Sequence, residues 1–547
     1  MDYFSKPFNI SLIKNHILKD PIIDWFNIQE VLDGGKYKKD KNTFYKDFIL
    51  KEWNEYRVNF LKKLRTKANT NIPINTSIEE TEKMILKKDP LIIGGKLLYE
   101  DMIVSCDIII NINLFTLIFP NIKNYPLHSI KNKYILINLS YSTLNLKNDL
   151  KESLNEGVLP YKKCVLYAFS MCFKKITGYI PSLFIIGKEY YYKKTQLPKE
   201  EFISSVIPDD KLIQRFMKAH QWIRLIQNKF NNLKIEDGVP SHKELYPNMN
   251  KKESEWENEK LILANKIKEI TLVWNITYDE RCNIHEKGIY CWDDPKLLTE
   301  LKESKKKVIQ EQMIHMNKNN EILLYPRKNV SGPLKEVLRE KDTNNIFFDV
   351  ESFLTIDEKV DFFNKKEEKY EYPILAIIGF FYMNKFYDYT IQKYDIKEEN
   401  KIVKFFSDKL WRIYNKYGRV NIFHWGHAEC KYMEYIHKQY QDIEFPEYIL
   451  IDLLDHFRLE PIIVQGVFQF GLKSIGKALY NNNLIETTWD DSNDNGLDAM
   501  IKFKEICKRE KNIPLKRFIE IKEIIDYNKV DCKVLKDIYD LLKKNYD

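Results

Sequence analysis

Residues 345–353, Asn-Ile-Phe-Phe-Asp-Val-Glu-Ser-Phe, form an apolar run that carries carboxylates at two alternate positions, Asp349 and Glu351. Its aromatic and β-branched content predicts a strand, and the two-residue period of a strand sets both acids on one face. Two more acidic positions follow. One is Glu429, at the end of Phe423-His-Trp-Gly-His-Ala-Glu429, and the other is Asp531, at the end of Tyr527-Asn-Lys-Val-Asp531. A helix over the second segment stacks Tyr527 and Asp531 on one face, because residues four apart are neighbours there. Four carboxylates gathered in one place repel one another strongly unless cations sit between them. An all-oxygen donor set favours Mg²⁺ or Mn²⁺. That is the chemistry of a two-metal phosphodiesterase.

The elements around these acids have a readable order. Strands are expected at 346–354, 372–383 and 386–391, then a helix at 398–417, a strand at 420–425, a helix at 428–439 and an apolar segment at 448–454. Helices fill the remainder, with a long one at 515–544. Three strands followed by alternating helix and strand is the order of a ribonuclease-H-like α/β domain, which carries its first catalytic acids at the centre of the first strand. Upstream, 196–330 reads as a charged helical connector with helices at 211–228 and 298–316 and a faint helix–turn–helix pattern over 270–298 that could contact a phosphate backbone. The first 195 residues mix helices with apolar strands at 91–98, 102–112 and 133–139, then a helix at 161–176 and a strand at 182–186. The apolar stretch 102–119 is interrupted by Asp107, Asn111 and Asn113, so it reads as two buried strands and not as a membrane span.

Composition sets outer limits. A length of 547 residues suggests two to four domains, and a formal charge of +8 permits a nucleic-acid partner without locating a surface for it. The eight cysteines are scattered without a CxxC pair, which is the usage of a reducing compartment. Cys282, His285 and Cys291 lack a fourth ligand at zinc spacing. The first residues carry no charged start followed by an apolar core, so a soluble intracellular protein with no membrane association is expected, in cytoplasm, nucleus or a viral replication site.

The segments Phe347-Phe-Asp-Val-Glu-Ser-Phe353, Phe423-His-Trp-Gly-His-Ala-Glu429, Ile451-Asp-Leu-Leu454, Phe470-Gly-Leu-Lys-Ser-Ile-Gly-Lys477 and Ile525-Asp-Tyr-Asn-Lys-Val-Asp-Cys532 together resemble the RecB-like nuclease family. In that family a restriction-endonuclease-like PD-(D/E)XK half precedes a ribonuclease-H-like DEDD exonuclease half. The resemblance implies domains at 1–195 and 331–547 around the connector. It assigns metal binding and catalysis to Asp349, Glu351, Glu429 and Asp531, with Tyr527 orienting the attacking water. Glu429 stands where Asp is usual, and His424 where many relatives have Asn. Asp452 matches a family acid and is a supporting or alternative metal ligand. Asp349 would bridge two Mg²⁺ or Mn²⁺ ions, one activating water and the other stabilising the leaving 3′ oxygen. Lys473 and His424 are candidate contacts to nucleic acid.

The N-terminal half follows the nuclease pattern in outline but not in chemistry. Asp20-Pro-Ile-Ile-Asp-Trp25 and Phe48-Ile-Leu-Lys-Glu-Trp-Asn-Glu55 resemble the family's opening helices, and Asp107 falls where its metal-binding Asp is expected. The next strand should supply an acid and a lysine one residue apart, yet it reads Ile137-Asn-Leu-Ser140. This half is expected to be a degenerate nuclease fold kept for binding or scaffolding. The glycine-rich Gly466-Val-Phe-Gln-Phe-Gly-Leu-Lys-Ser474 is no P-loop, because Leu472 separates the second glycine from Lys473. It reads as the start of a helix. The resulting expectation is a metal-dependent 3′–5′ exonuclease acting on single-stranded DNA, with RNA open, alongside a separate helicase or polymerase. An inactive nucleic-acid-binding scaffold and a structure-specific endonuclease are the alternatives.

Overall fold

A computed structural model describes residues 3–32, 34, 36–40, 44–70, 72–124, 133–252, 255–319, 324–325, 332–339, 342–352, 374–459, 461–490, 501–503, 505–507 and 513–546. Both parts of the chain are mixed α/β. Residues 3–40 and 46–267 form one compact unit, and the described residues from 268 onward form a second. Residues 196–267 therefore fall within the first unit and 268–319 within the second. No described helix is long and apolar enough to cross a membrane.

The first unit is built on a six-stranded mixed sheet. Met102–Asn111 is its hub, pairing antiparallel with Leu91–Tyr99 and Tyr134–Leu139 and parallel with the short Phe8–Asn9. Tyr134–Leu139 runs parallel to Ser182–Ile186, and helix Leu159–Thr177 makes the crossover between them. All six residues of Tyr134–Leu139 are buried, which explains why its sequence is continuously apolar instead of alternating. Helix Asp210–Lys229 buries Phe216, Ala219 and Ile223 in the same core. The second half of 102–119 is not the expected strand. Asn111 accepts a hydrogen bond from the Asn113 N–H and starts helix Ile112–Ile118.

In the second unit a five-stranded sheet runs in the order Lys385–Thr390, Leu375–Tyr382, Asn345–Ser352, Val420–His424, Tyr448–Asp452. The first three strands are antiparallel neighbours and the last three are parallel. Central strand Asn345–Ser352 is covered on both faces. Phe348 stacks on Phe406 of helix Ile396–Tyr417, with ring centroids 5.3 Å apart. On the other face Phe347 packs on Phe423 at 5.2 Å and on Tyr539 of helix Ile519–Tyr546 at 5.3 Å. Asp349 and Glu351 share the parity of Phe347, so the period of two turns both toward the layer of the long helix.

Several expected elements end or break elsewhere. The central strand stops at Ser352, and Phe353, Leu354, Tyr372 and Pro373 lie outside the described residues. The helix expected at 298–316 is two, Leu297–Glu300 and Lys305–Lys318, because the backbone is extended at Leu301 and again at Ser304. No helix–turn–helix pair forms over 270–298. The segment holds a single two-turn helix, Tyr278–His285, anchored by the fully buried Arg281–Glu269 ion pair at 3.1 Å. The glycine-rich segment does lead into a helix, Leu472–Asn481.

Candidate active site

The central strand presents Asp349 and Glu351, and the long helix brings Asp531 to them. One carboxylate oxygen from each lies within 4.8 Å of the others. Glu429 reaches the same centre from the first turn of helix Ala428–Gln439, where it hydrogen-bonds Asp349. Glu351, Glu429 and Asp531 are all less than one-tenth exposed. Burial, followed by repulsion from Asp531, Glu351 and Glu429, pushes the Asp349 carboxyl well above the usual carboxylate range. Burial and the Asp531 and Glu429 charges raise Glu351 to about 8. Burial likewise raises Glu429 to about 7. Asp531 also rises to about 7 through burial, held from going further by Trp489, Lys473 and Tyr527.

These residues fit a divalent cation. The donors are all hard carboxylate oxygens, and Glu429 Oε2 is buried without a hydrogen-bond partner, 3.8 Å from His424 Nδ1. A second buried glutamate in this unit shows the contrast. Glu399 accepts from Leu375 N at 2.7 Å, from the Tyr435 hydroxyl at 2.9 Å and from the Tyr440 hydroxyl at 2.6 Å, so both its oxygens have hydrogen-bond partners within the protein.

The other expected site residues take distinct places. Tyr527 donates to Asp531, one turn away on the same helix face. Lys473 Nζ sits 4.6 Å from the Tyr527 ring centroid and acts electrostatically on Glu351 and Asp531. Asp452 lies outside the three-acid cluster formed by Asp349, Glu351 and Asp531. Its Oδ1 accepts from Gly426 N at 2.8 Å and Leu454 N at 2.9 Å, which pins the turn that launches the Glu429 helix. Gly426 has φ +96°, a conformation that favours glycine. His424 is not available to nucleic acid. It is fully buried, with Nδ1 2.8 Å from Gly426 O and Nε2 3.6 Å from Cys430 Sγ, because the same turn folds over it.

Two residues touching the acids were not among the expected ones. Asn528 Nδ2 donates to Asp349 Oδ2 at 2.7 Å, and Trp489 Nε1 donates to Asp531 Oδ1 at 2.7 Å. A glycine inside the apolar strand Leu375–Tyr382 was the available signal for the first, since a strand glycine marks close approach by another group. Nothing local marks Trp489. Tyr432, one turn beyond Glu429, bonds the hydroxyl of Ser352 and borders the same carboxylates.

In the first unit Asp107 belongs to no metal-holding group among the described residues. Arg57 Nε donates to its Oδ1 at 2.7 Å and Leu139 N to its Oδ2 at 2.9 Å, while its own N–H donates to Asn138 Oδ1 at 3.1 Å. Lys162 Nζ, its affinity for a proton lowered by burial, donates to Leu139 O at 2.9 Å. One carboxylate already answered by an arginine does not fit a divalent cation. Glu100, Asp101 and His220 also converge, but Arg224 Nη2 bonds Glu100 at 2.7 Å and lies 3.4 Å from Asp101, supplying the cation internally. Among the described residues Cys282, His285 and Cys291 form no metal-holding group.

Residues 369–543 match the family model of the RNase H superfamily. The match spans the helix and strand set that carries Glu429, Asp452, Lys473, Tyr527 and Asp531, and begins after Asp349 and Glu351. It supports an RNase H-like domain in the second unit, a superfamily of metal-dependent nucleases acting on nucleic acid. Neither a curated protein nor a solved structure matches the chain significantly.

Proposed function

We propose that the second unit is a metal-dependent 3′–5′ exonuclease of single-stranded nucleic acid, with DNA the preferred polymer. The observation that supports this reading most is the convergence of Asp349, Glu351, Glu429 and Asp531, with a tyrosine hydroxyl on the last of them. These four acids would hold Mg²⁺ or Mn²⁺, two ions in this reading, which when bound supply an activated water and a counter-charge for the leaving 3′ oxygen.

The chain's own groups have separable tasks. Asp349 is central, with Glu351 beside it on the strand and Glu429 hydrogen-bonded to it, so losing it disturbs every other ligand. The Tyr527 hydroxyl, tied to Asp531, orients the attacking water and is itself held protonated by burial and the nearby carboxylates. Lys473, at the start of helix Leu472–Asn481, offers a cation to the scissile phosphate. Asp452 sets the direction of Glu429 through the Gly426 turn. The first unit is read as a restriction-endonuclease-like fold that binds or scaffolds without cutting, in keeping with the Arg57-paired Asp107.

The test is cleavage of 5′-labelled and 3′-labelled single-stranded DNA and RNA in Mg²⁺ or Mn²⁺, beside circular single-stranded DNA. Stepwise shortening from the 3′ end with the circle intact is the expected outcome. Cutting of the circle would replace the exonuclease with an endonuclease. Polymer binding without cleavage would leave a scaffold.

A further inference from the structure

We infer that Asn528 and Trp489 are positioning residues of this centre, each aiming one metal-facing carboxylate through a single neutral N–H and each seated over a glycine that makes room for it. The inference rests on the metal-dependent reading above. Asn528 is fully buried, and it enters from the long helix across the sheet strand beside Asp349. The residue paired with Asp349 on that neighbouring strand is Gly379. A Cβ on Gly379 would lie 1.6 Å from Asn528 Oδ1, so no other residue at 379 leaves the amide in place. The amide orientation is consistent on both sides: Oδ1 lies 4.0 Å from Cys532 Sγ, and Nδ2 turns to Asp349.

Trp489 repeats the arrangement on the opposite acid. Its buried indole donates to Asp531 Oδ1, and a Cβ on Gly476 would meet the indole ring at 2.8 Å and Val534 Cγ1 at 2.9 Å. Both donors are uncharged. A neutral N–H orients the carboxylate without cancelling its negative charge, which stays available to a cation. An arginine in the same place would itself supply the counter-charge, as Arg57 does at Asp107. Groups that orient metal ligands in this way are worth roughly 10–100-fold in metal affinity or activity.

The experiment titrates Mn²⁺ into wild type, Asn528→Ala, Trp489→Phe and Gly379→Ala, reading both thermal stabilisation and cleavage rate. The expected result is a Mn²⁺ midpoint raised about tenfold or more in each variant, with the rate recovering substantially at saturating Mn²⁺. Gly379→Ala should shift the midpoint no further in the Asn528→Ala background, because the methyl then fills space the amide has vacated. Wild-type midpoints in variants of an enzyme that does bind Mn²⁺ would overturn the positioning role and leave the nuclease reading standing. Trp489→Phe keeps an aromatic ring in the pocket and deletes the N–H together with the indole's five-membered ring, so it is a second, independent variant if Asn528→Ala does not fold. Absence of both Mn²⁺ stabilisation and cleavage in wild type would overturn the nuclease reading and this inference with it.

Discussion

Asp107 in the first unit and Asp349 in the second are both strand aspartates held on one oxygen by a side-chain N–H at 2.7 Å, yet they sit in opposite electrostatic settings. Asp107 is met by a guanidinium and a backbone N–H, so its charge is balanced by the fold. Asp349 is met by a neutral amide, a backbone N–H and three other carboxyls, which push its carboxyl toward the protonated form. The difference teaches that the sign of a carboxylate's nearest partner, more than its burial, separates a scaffold from a cation site. Glu399 adds a second distinction: it is buried like Glu429, but both its oxygens accept hydrogen bonds, whereas Glu429 Oε2 has no partner.

The largest effect that would sharpen this contrast comes from Asp349→Asn. Cleavage of labelled single-stranded DNA is expected to fall on the order of 10³-fold or more, since loss of one shared ligand removes several kcal/mol of transition-state stabilisation. The melting temperature of the metal-free protein should hold or rise at the same time, because one of four repelling charges is gone. A melting temperature lowered by several degrees would show that Asp349 is structural.

The pH dependence should be next in size. Glu351, Glu429 and Asp531 have folded-state values raised to about 8, 7 and 7, above those of an unfolded chain. The folded protein therefore binds more protons than the unfolded one. The stability these groups contribute is complete below about pH 4 and is lost as pH rises through 7 to 8. Metal-free protein should thus melt progressively lower from pH 5 to pH 8, and Mn²⁺ should restore most stability at the upper end. Asp20 and Asp24 of the first unit, each raised to about 6 by burial, push the same way, so the diagnostic is a shallower slope in Asp349→Asn. An equal slope in both proteins would break the comparison.

Asp107→Ala should be the mirror image. It leaves Arg57 without its partner and is expected to cost about 1–3 kcal/mol of stability, read by denaturant unfolding. Glu399→Gln is expected to cost about 1 kcal/mol, because the amide keeps only part of the three bonds, with the Mn²⁺ response unchanged. The smallest effect is on the rate of cleavage by Asp107→Ala, which should stay within about twofold of wild type. A large loss in that folded variant would make the first unit catalytic.

The acids of the second unit were readable because strand and helix periods are local. Asp349 with Glu351, and Tyr527 with Asp531, share faces whatever the rest of the chain does. Glu429 was readable only through its setting in a longer pattern. Asn528 was not readable as a functional residue, since a polar residue in an amphipathic helix is ordinary; only Gly379 hinted that something approaches there. The Arg57 partner of Asp107 lies fifty residues earlier on another element, and nothing local joins the two. Helix Ile112–Ile118 was missed because a short run of Ile, Leu and Phe fits a buried strand and a buried helix alike, and the deciding signal was the single cap residue Asn111.

The bond from Asn528 to Asp349 closes a span of 179 residues. During synthesis the strand bearing Asp349 and Glu351 leaves the ribosome long before the helix that supplies Tyr527, Asn528 and Asp531. A growing or broken chain lacking that helix holds three of the four acids, Asp349, Glu351 and Glu429, but neither Asp531 nor the Tyr527 and Asn528 side chains beside it. On the nuclease reading, full activity therefore waits until the long helix has docked.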